Sequence, residues 1–343
     1  MDYKILGKTG LKVSELAFGA LQFARLKEHD AIKLVRYAYD SGINLYDTAN
    51  SYPNSENLLG KSFKGIREDI YIITKSGKRD KKGFLEDLET SLKRLKTDYI
   101  DIYLFHGVSK VIEFEAIESS GVIDALINEK RKGKVKHIGF SCHNPSVIDR
   151  FYEVDGFSVL MIPLNFMTTE YIKRPLLEKF KENNIGLLAM KPFGGGRLID
   201  IELCFKFLKK YPQVIPVAGM QTIEELRQNL EYVKNNEALT KAGYKKIKEI
   251  SQELGTKFCR GCGYCMPCDN GIEIADTNFI KIYYKQFSSD AFLGLGLSEK
   301  VELARECTEC GKCSQKCPFE LDVPEIIKEN ITFFDSLKIG RII

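Results

Sequence analysis

Between residue 17 and about residue 235 the chain repeats one pattern: a short apolar run rich in β-formers, followed by a stretch with helical spacing. Eight such units are counted, with strands at Leu16 to Ala20, Ile43 to Thr48, Ile70 to Lys75, Tyr99 to His106, Val135 to Ser141, Ser158 to Pro163, Ile185 to Lys191 and Val214 to Ala218. This alternation is the signature of βα units around a parallel sheet. Each run is followed by a helix candidate. The first carries Ala31, Leu34, Val35, Ala38 and Tyr39, and the third Leu85, Leu88, Leu92 and Leu95, at the i, i+3, i+4 spacing of one buried face. Eight units predict an α/β fold closed as a (β/α)8 TIM barrel. An open doubly wound sheet would want a Gly-x-Gly-x-x-Gly turn after its first strand for a dinucleotide, and none is present.

A barrel of about 250 residues is routine as one domain, so a chain of 343 residues leaves room for a small appendage. Leu6 to Val13, with Gly7, Thr9-Gly10 and Leu11, reads as a hairpin that closes the barrel's N-terminal end. After residue 235 the pattern changes to a Lys-rich helix, a cysteine group, a helically periodic stretch from Ile272 to Ala304, and more cysteines. A barrel at residues 1–240 and a mainly helical domain at 241–343 are expected. Apolar residues make up 44% and charged residues 29%, with the net charge of +4 spread among acidic residues rather than gathered in a basic stripe, so no nucleic-acid partner is expected. No run approaches the roughly 18 apolar residues of a membrane span, and the opening Met1-Asp2-Tyr3-Lys4 lacks the apolar core of a secretory signal. The expectation is a soluble cytoplasmic protein with no membrane partner.

Eight of the ten cysteines form two groups, Cys259, Cys262, Cys265 and Cys268, then Cys307, Cys310, Cys313 and Cys317 followed by Pro318. A third C-x-x-C step within one group gives more sulfurs than a single tetrahedral zinc ion uses, and disulfides need an oxidising compartment. The second group matches the bacterial ferredoxin run, in which three thiolates hold one [4Fe-4S] cluster and the one before proline reaches the other. Two clusters are expected in a ferredoxin-like domain. The first group departs from that spacing, with two residues before Cys268 and Asp269 after it, so which thiolate serves which cluster stays open.

In a βα barrel the reacting groups sit at the C-terminal ends of the strands. Asp47 ends the second run and Tyr52 follows it, Lys75 ends the third and His106 the fourth. A buried Lys beside an Asp is expected to lower the pKa of a neighbouring phenol, making Tyr52 a proton donor, while His106 orients a carbonyl oxygen and leaves its carbon open to hydride.

Asp47-Thr48-Ala49-x-x-Tyr52, with Lys75 and His106 on the next two strands, resembles the aldo-keto reductase family over about residues 3 to 235. With the cysteine groups, the chain is similar to a branch of that family that carries a ferredoxin-like tail. The resemblance implies that Tyr52 is the general acid, that Asp47 and Lys75 tune it, and that His106 positions a small carbonyl or alcohol substrate for hydride exchange with a nicotinamide. It places Ser141 and Asn165 at the nicotinamide carboxamide, and Lys191, Phe193, Gly194 and Gly195 at the pyrophosphate. Gly219, Met220, Glu225 and Asn229 fall at the rest of the nucleotide. Three glycines at 194 to 196 would let backbone N–H groups approach phosphate. Where NADP-dependent members place Lys and Arg, this chain has Gly219 and Glu225, which favours NAD(H) over NADP(H), although Arg227 lies close by in sequence. Cys142 stands where the family has Asn and is a candidate contact for substrate or cofactor, whereas Cys204 reads as packing.

Hydride carries two electrons and a cluster passes one, so an electron path between the halves calls for a bound flavin, or for a ferredoxin or other carrier as partner. The clusters are otherwise structural or sensing elements beside a working barrel. A third reading is an electron carrier or redox sensor whose barrel reduces no carbonyl.

Overall fold

The structure, a computed structural model of the chain, describes residues 1–173, 175–287 and 289–339. The chain divides into two compact units, Met1–Leu239 and Thr240–Ile343.

In the first unit a hairpin of β1 (Tyr3–Ile5) and β2 (Lys12–Ser14) precedes eight parallel strands: β3 (Ala17–Gly19), β4 (Leu45–Asp47), β5 (Tyr71–Ser76), β6 (Ile100–Phe105), β7 (Val135–Ser141), β8 (Phe157–Pro163), β9 (Gly186–Met190) and β10 (Val214–Gly219). They follow one another in chain order and close where β10 pairs with β3, Val217 opposite Ala17. All eight expected strands are present, several trimmed at their ends to the residues that join the ladder.

Strands walled by helices outside and filled inside must be apolar on both faces. All seven residues of β8 are buried accordingly. The interior is a cluster that includes Ala17, Leu45, Ile73, Leu104, Val159 and Leu188. Leu6 and Val13 of the hairpin belong to the same cluster. Lys8 N donates to Asn184 O at 2.5 Å, and a Cβ on Gly7 would lie 2.4 Å from Gly186 N, so the hairpin lies against the start of β9 and plugs the barrel's N-terminal end. β1 precedes the expected Leu6 to Val13 stretch and β2 overlaps its end. The interior of that stretch is a tight turn, with Gly7–Thr9 in a 3-10 helix and Gly10 in the left-handed region at φ +72°.

Helix Glu28–Asp40 buries Ala31, Leu34, Val35 and Ala38 as the spacing predicts. Helix Lys81–Leu95 buries Phe84, Leu88, Leu92 and Leu95, while Leu85 is half-buried, because Phe84 takes the central place on that face. β7 is followed by a 3-10 stretch, Pro145–Glu153, rather than an α-helix; proline at its first position supplies no N–H.

The second unit is helical, with Lys241–Leu254, Ile274–Asn278, Ile280–Gln286, Ser289–Leu293, Leu297–Arg305, Lys312–Lys316 and Val323–Ile339. One core gathers Ile272, Ile274, Phe279, Leu321, Ile326 and Ile327 around the cysteines, and a second joins Ile280, Phe292, Val301 and Phe334. Among the described residues no helix is long and apolar enough to cross a membrane.

Candidate functional site

β4, β5 and β6 are neighbours in the barrel, so the ends that carry Asp47, Lys75 and His106 lie side by side. Beyond β4, Thr48 N donates to Ile73 O and Asn50 N to Lys75 O, each at 2.9 Å, and Tyr52 N then turns back to Ala49 O at 2.9 Å. That turn sets the Tyr52 ring with its centroid 5.2 Å from Lys75 Nζ and edge-on to His106, the two ring centroids 5.7 Å apart. Lys75 Nζ donates to Asp47 Oδ1 and to Thr48 O, both at 2.6 Å. The pair is deeply buried, Lys75 being 1% and Asp47 5% exposed.

Burial pulls the Lys75 ammonium down and pushes the Asp47 carboxyl up, and their attraction opposes both shifts. Burial raises the Tyr52 phenol above its ordinary value, and the Asp47 charge adds to the rise. This differs from the expected lowering by Lys75: burial of the ring dominates, and the Asp47 charge adds to it. His106 is pushed down to about 3 by burial, helped by the Lys75 and Arg79 charges, and is therefore neutral at ordinary pH. The arrangement holds a protonated phenol beside an uncharged imidazole.

Three neighbours were not singled out from the sequence. Ser51 Oγ lies 3.4 Å from His106 Nδ1, and Arg79 donates to His106 O at 2.7 Å. His143 anchors its N–H on Ser109 Oγ at 3.1 Å, and its buried Nδ1 has no partner among the described residues. Its place just beyond a strand end was the available signal. Ser51 and Arg79 gave none, because their contacts depend on how the loops fold back. Cys142 is fully buried, and burial pushes its thiol up to about 12, so it is a thiol and not a nucleophile. Cys204 is fully buried within helix Ile201–Leu208, as packing would have it.

The expected nucleotide residues follow the ends of β7 to β10. Ser141 Oγ accepts from Gly107 N at 2.9 Å. Asn165 donates from Nδ2 to Lys191 O and accepts at Oδ1 from Met167 N, both at 2.9 Å, tying the loops after β8 and β9 together. Lys191 and Gly194 to Gly196 all have positive φ, from +54° to +86°, which explains the glycines. Gly194 N and Gly196 N donate to Lys191 O and Phe193 O at 2.9 Å, so two of the three glycine N–H groups serve the loop's own turns and not the open approach expected of them. Phe193 packs edge-on against Phe205. Gly219 ends β10 where a Cβ would meet Gln22 at 2.2 Å, and Met220 is buried. Thr222 caps helix Ile223–Lys234, its Oγ1 accepting from Glu225 N at 3.1 Å, and Glu225 Oε2 accepts from Gln221 N at 2.6 Å. Asn229 is buried on that helix, and Arg227 donates to Tyr37 OH at 3.0 Å.

In the second unit Cys259, Cys262, Cys265 and Cys317 line one cavity. Cys268, Cys307, Cys310 and Cys313 line another, with Cys265 also on its wall. Each cavity thus takes a cysteine from the opposite sequence group, an arrangement the spacing of the first group left open. Gly261 and Gly263, at φ +69° and +78°, wrap the Cys259 to Cys265 loop around its cavity. Burial pushes Cys262 up to about 11 and Cys265 up to about 12, and neighbouring thiolates push the same way, so a full set of thiolates needs positive charge in the cavity. Among the described residues no three His, Cys, Asp or Glu side chains converge as ligands of one metal ion. Four sulfurs spaced around a cavity suit a polynuclear group with iron at several corners.

The Aldo/keto reductase family model matches residues 15–200, more than half of the chain, and a 4Fe-4S dicluster domain model matches residues 258–322. "Probable aldo-keto reductase 1" of Glycine max is 33% identical over 211 residues, 56% of this chain and 59% of that protein. L-galactose dehydrogenase of Arabidopsis thaliana is 32% identical over 224 residues, 58% of this chain and 68% of that one. The chain thus spans less than two thirds of the first relative's length. An aldo-keto reductase from Bacillus halodurans, solved in its holo form, superimposes with a TM-score of 0.64 at 24% identity, covering 73% of this chain and 96% of that one, and shares the fold. It follows that the chain belongs to the aldo/keto reductase family, with a 4Fe-4S dicluster domain toward its C-terminus.

Proposed function

We propose that the barrel interconverts a small carbonyl and its alcohol at a nicotinamide, with Tyr52 as proton donor, and that the C-terminal unit carries two [4Fe-4S] clusters. The observation that supports this most is the buried Lys75–Asp47 pair beneath the Tyr52 ring, with a neutral His106 against the ring's edge. A bound nicotinamide supplies or accepts the hydride at the carbonyl carbon. Tyr52 gives its phenolic proton to the carbonyl oxygen, so that one hydride and one proton complete the alcohol, and solvent restores the phenol. Asp47 holds the Lys75 ammonium 5.2 Å from the centroid of the Tyr52 ring, where its positive charge opposes the build-up of negative charge as the proton leaves. His106 offers a ring nitrogen to the carbonyl oxygen without competing for its proton.

Ser141 and Asn165 would hold the carboxamide, and Lys191, Phe193, Gly194 and Gly195 the pyrophosphate side. Gly219, Met220, Glu225 and Asn229 would flank the adenosine. The fixed Glu225 carboxylate disfavours a 2'-phosphate, so NADH is the expected donor. Cys259, Cys262, Cys265 and Cys317 would bind one cluster and Cys268, Cys307, Cys310 and Cys313 the other, with a ferredoxin or similar carrier as electron partner. Polyhydroxy aldehydes belong among the substrates tried, since the Arabidopsis relative is an L-galactose dehydrogenase.

The test is anaerobic purification, determination of iron, sulfide and flavin, and titration with NADH and NADPH while the visible absorbance of the clusters is followed. Nucleotide oxidation on adding a carbonyl is expected. Tyr52→Phe should lower turnover by about 10²-fold to 10⁴-fold with cluster absorbance unchanged. Wild-type turnover in that variant would sink the assignment. Cluster bleaching by nucleotide would mean that the barrel and clusters form one electron path, and would direct the substrate search toward ferredoxin-linked reductions.

A further inference from the structure

Asn278 is the last residue of the short helix Ile274–Asn278, and its side chain lines the cavity walled by Cys259, Cys262, Cys265 and Cys317. It is 6% exposed, and both its amide nitrogen and its amide oxygen are buried without a hydrogen-bond partner among the described residues. A buried amide left so loses its hydration with no return, unless the cavity supplies a partner.

Two other asparagines of the unit satisfy such groups within the protein. Asn330, equally buried, donates to Ile326 O at 2.8 Å and accepts from Lys281 N at 3.2 Å. Asn270, on the wall of the other cavity, donates to Glu306 O at 2.9 Å. Asn278 alone of these three faces a thiol-lined cavity with its amide unengaged. Sulfur of a cluster or of its thiolates is an acceptor only, so the NH₂ end is the end that it takes.

Resting on the cluster reading above, we propose that Asn278 Nδ2 donates a hydrogen bond to a sulfur of the [4Fe-4S] cluster held by Cys259, Cys262, Cys265 and Cys317, and so raises that cluster's reduction potential. The reduced cluster carries one more negative charge than the oxidised one, and an N–H aimed at its sulfur stabilises that form more. Burial acts in the opposite sense, because added charge is less welcome away from water. Asn278 thereby adds a difference between the two clusters to the one that burial makes, Cys259 being buried and Cys310 exposed.

The experiment is an EPR-monitored redox titration of the full chain, anaerobically loaded, wild type against Asn278→Leu, with iron and sulfide measured for both. One cluster in the variant should show an about tenfold lower ratio of reduced to oxidised form at a fixed potential, about 59 mV for one electron, with the other cluster unmoved. In wild-type protein labelled with ¹⁵N-asparagine, pulsed EPR should show a nitrogen coupling to one reduced cluster that changes with the label and is absent from the variant. Two intact clusters with unchanged midpoints would overturn the hydrogen bond and leave the cluster reading standing. A wild-type chain that takes up no cluster in this cavity would overturn both. If the variant loads only one cluster, the wild-type coupling decides: its presence supports the proposal, and its absence means that the amide is satisfied by water.

Discussion

At the scale of single residues, the site is governed by which groups keep their charge. Lys75 and Asp47 neutralise each other in a dry setting, Tyr52 is held protonated, and His106 is held neutral. With the His106 pKa near 3, its ionisation lies below the assay range, so kcat/KM for carbonyl reduction should show no limb near pH 6.5 between pH 5 and 9. Alcohol oxidation needs the phenolate, and a raised phenol pKa means that its rate should climb with pH through the alkaline range. A bell centred near neutrality in the reductive direction would contradict both assignments. Asp47→Asn leaves a buried ammonium without its anion. Urea denaturation should show a loss of about 3 to 5 kcal/mol at pH 7. The loss should shrink as pH rises, since Lys75 can shed its proton, its pKa being lowered in the folded state while the unfolded chain still binds that proton. The four candidate side chains were legible in the sequence because Asp47, Lys75 and His106 mark the ends of apolar runs and Tyr52 follows the first of these within five residues. The direction of the Tyr52 shift was not, since it is set first by how deeply the phenol is buried and then by the Asp47 charge beside it.

At the scale of elements, the eight barrel strands were legible because a parallel strand covered on both faces leaves an unbroken apolar run, as β8 does with every residue buried. Connections were harder. The 3-10 stretch Pro145–Glu153 still has an apolar face, with Val147, Ile148 and Phe151 buried, and spacing alone does not separate it from an α-helix. The glycine loop was legible as a loop, yet the N–H groups of Gly194 and Gly196 turn inward, a consequence of the positive φ at Lys191 and at Gly194 to Gly196 that composition does not encode. Glu225 has two tasks that a substitution can separate. Gln keeps the bond from Gln221 N, because its amide oxygen accepts from the same N–H, while it removes the charge. Glu225→Gln should therefore leave the melting temperature in place and raise the ratio of NADPH to NADH kcat/KM by about tenfold. An unchanged ratio would mean that the carboxylate lies out of reach of the adenosine.

At the scale of the whole molecule, the two units have separate cores, the barrel interior around Leu45 and Ile73 and the helical core around Ile274 and Ile327. The crossing of cysteines between cavities was only partly legible: Pro318 marked Cys317 as the traveller, but the altered spacing before Cys268 hid the reciprocal crossing. Cys317→Ser should remove the cluster of the first cavity, halving iron and sulfide while leaving one EPR signal intact. Loss of both signals would mean that the cavities fill only together. The same crossing orders events during synthesis. A ribosome delivers the barrel first, at about 5 to 20 residues per second, and an N-terminal domain can fold while the rest is still being made. Neither thiol-lined cavity has its full wall until the second cysteine group has left the exit tunnel, so a cluster that needs all four thiolates would be seated only after the barrel's residues have been made.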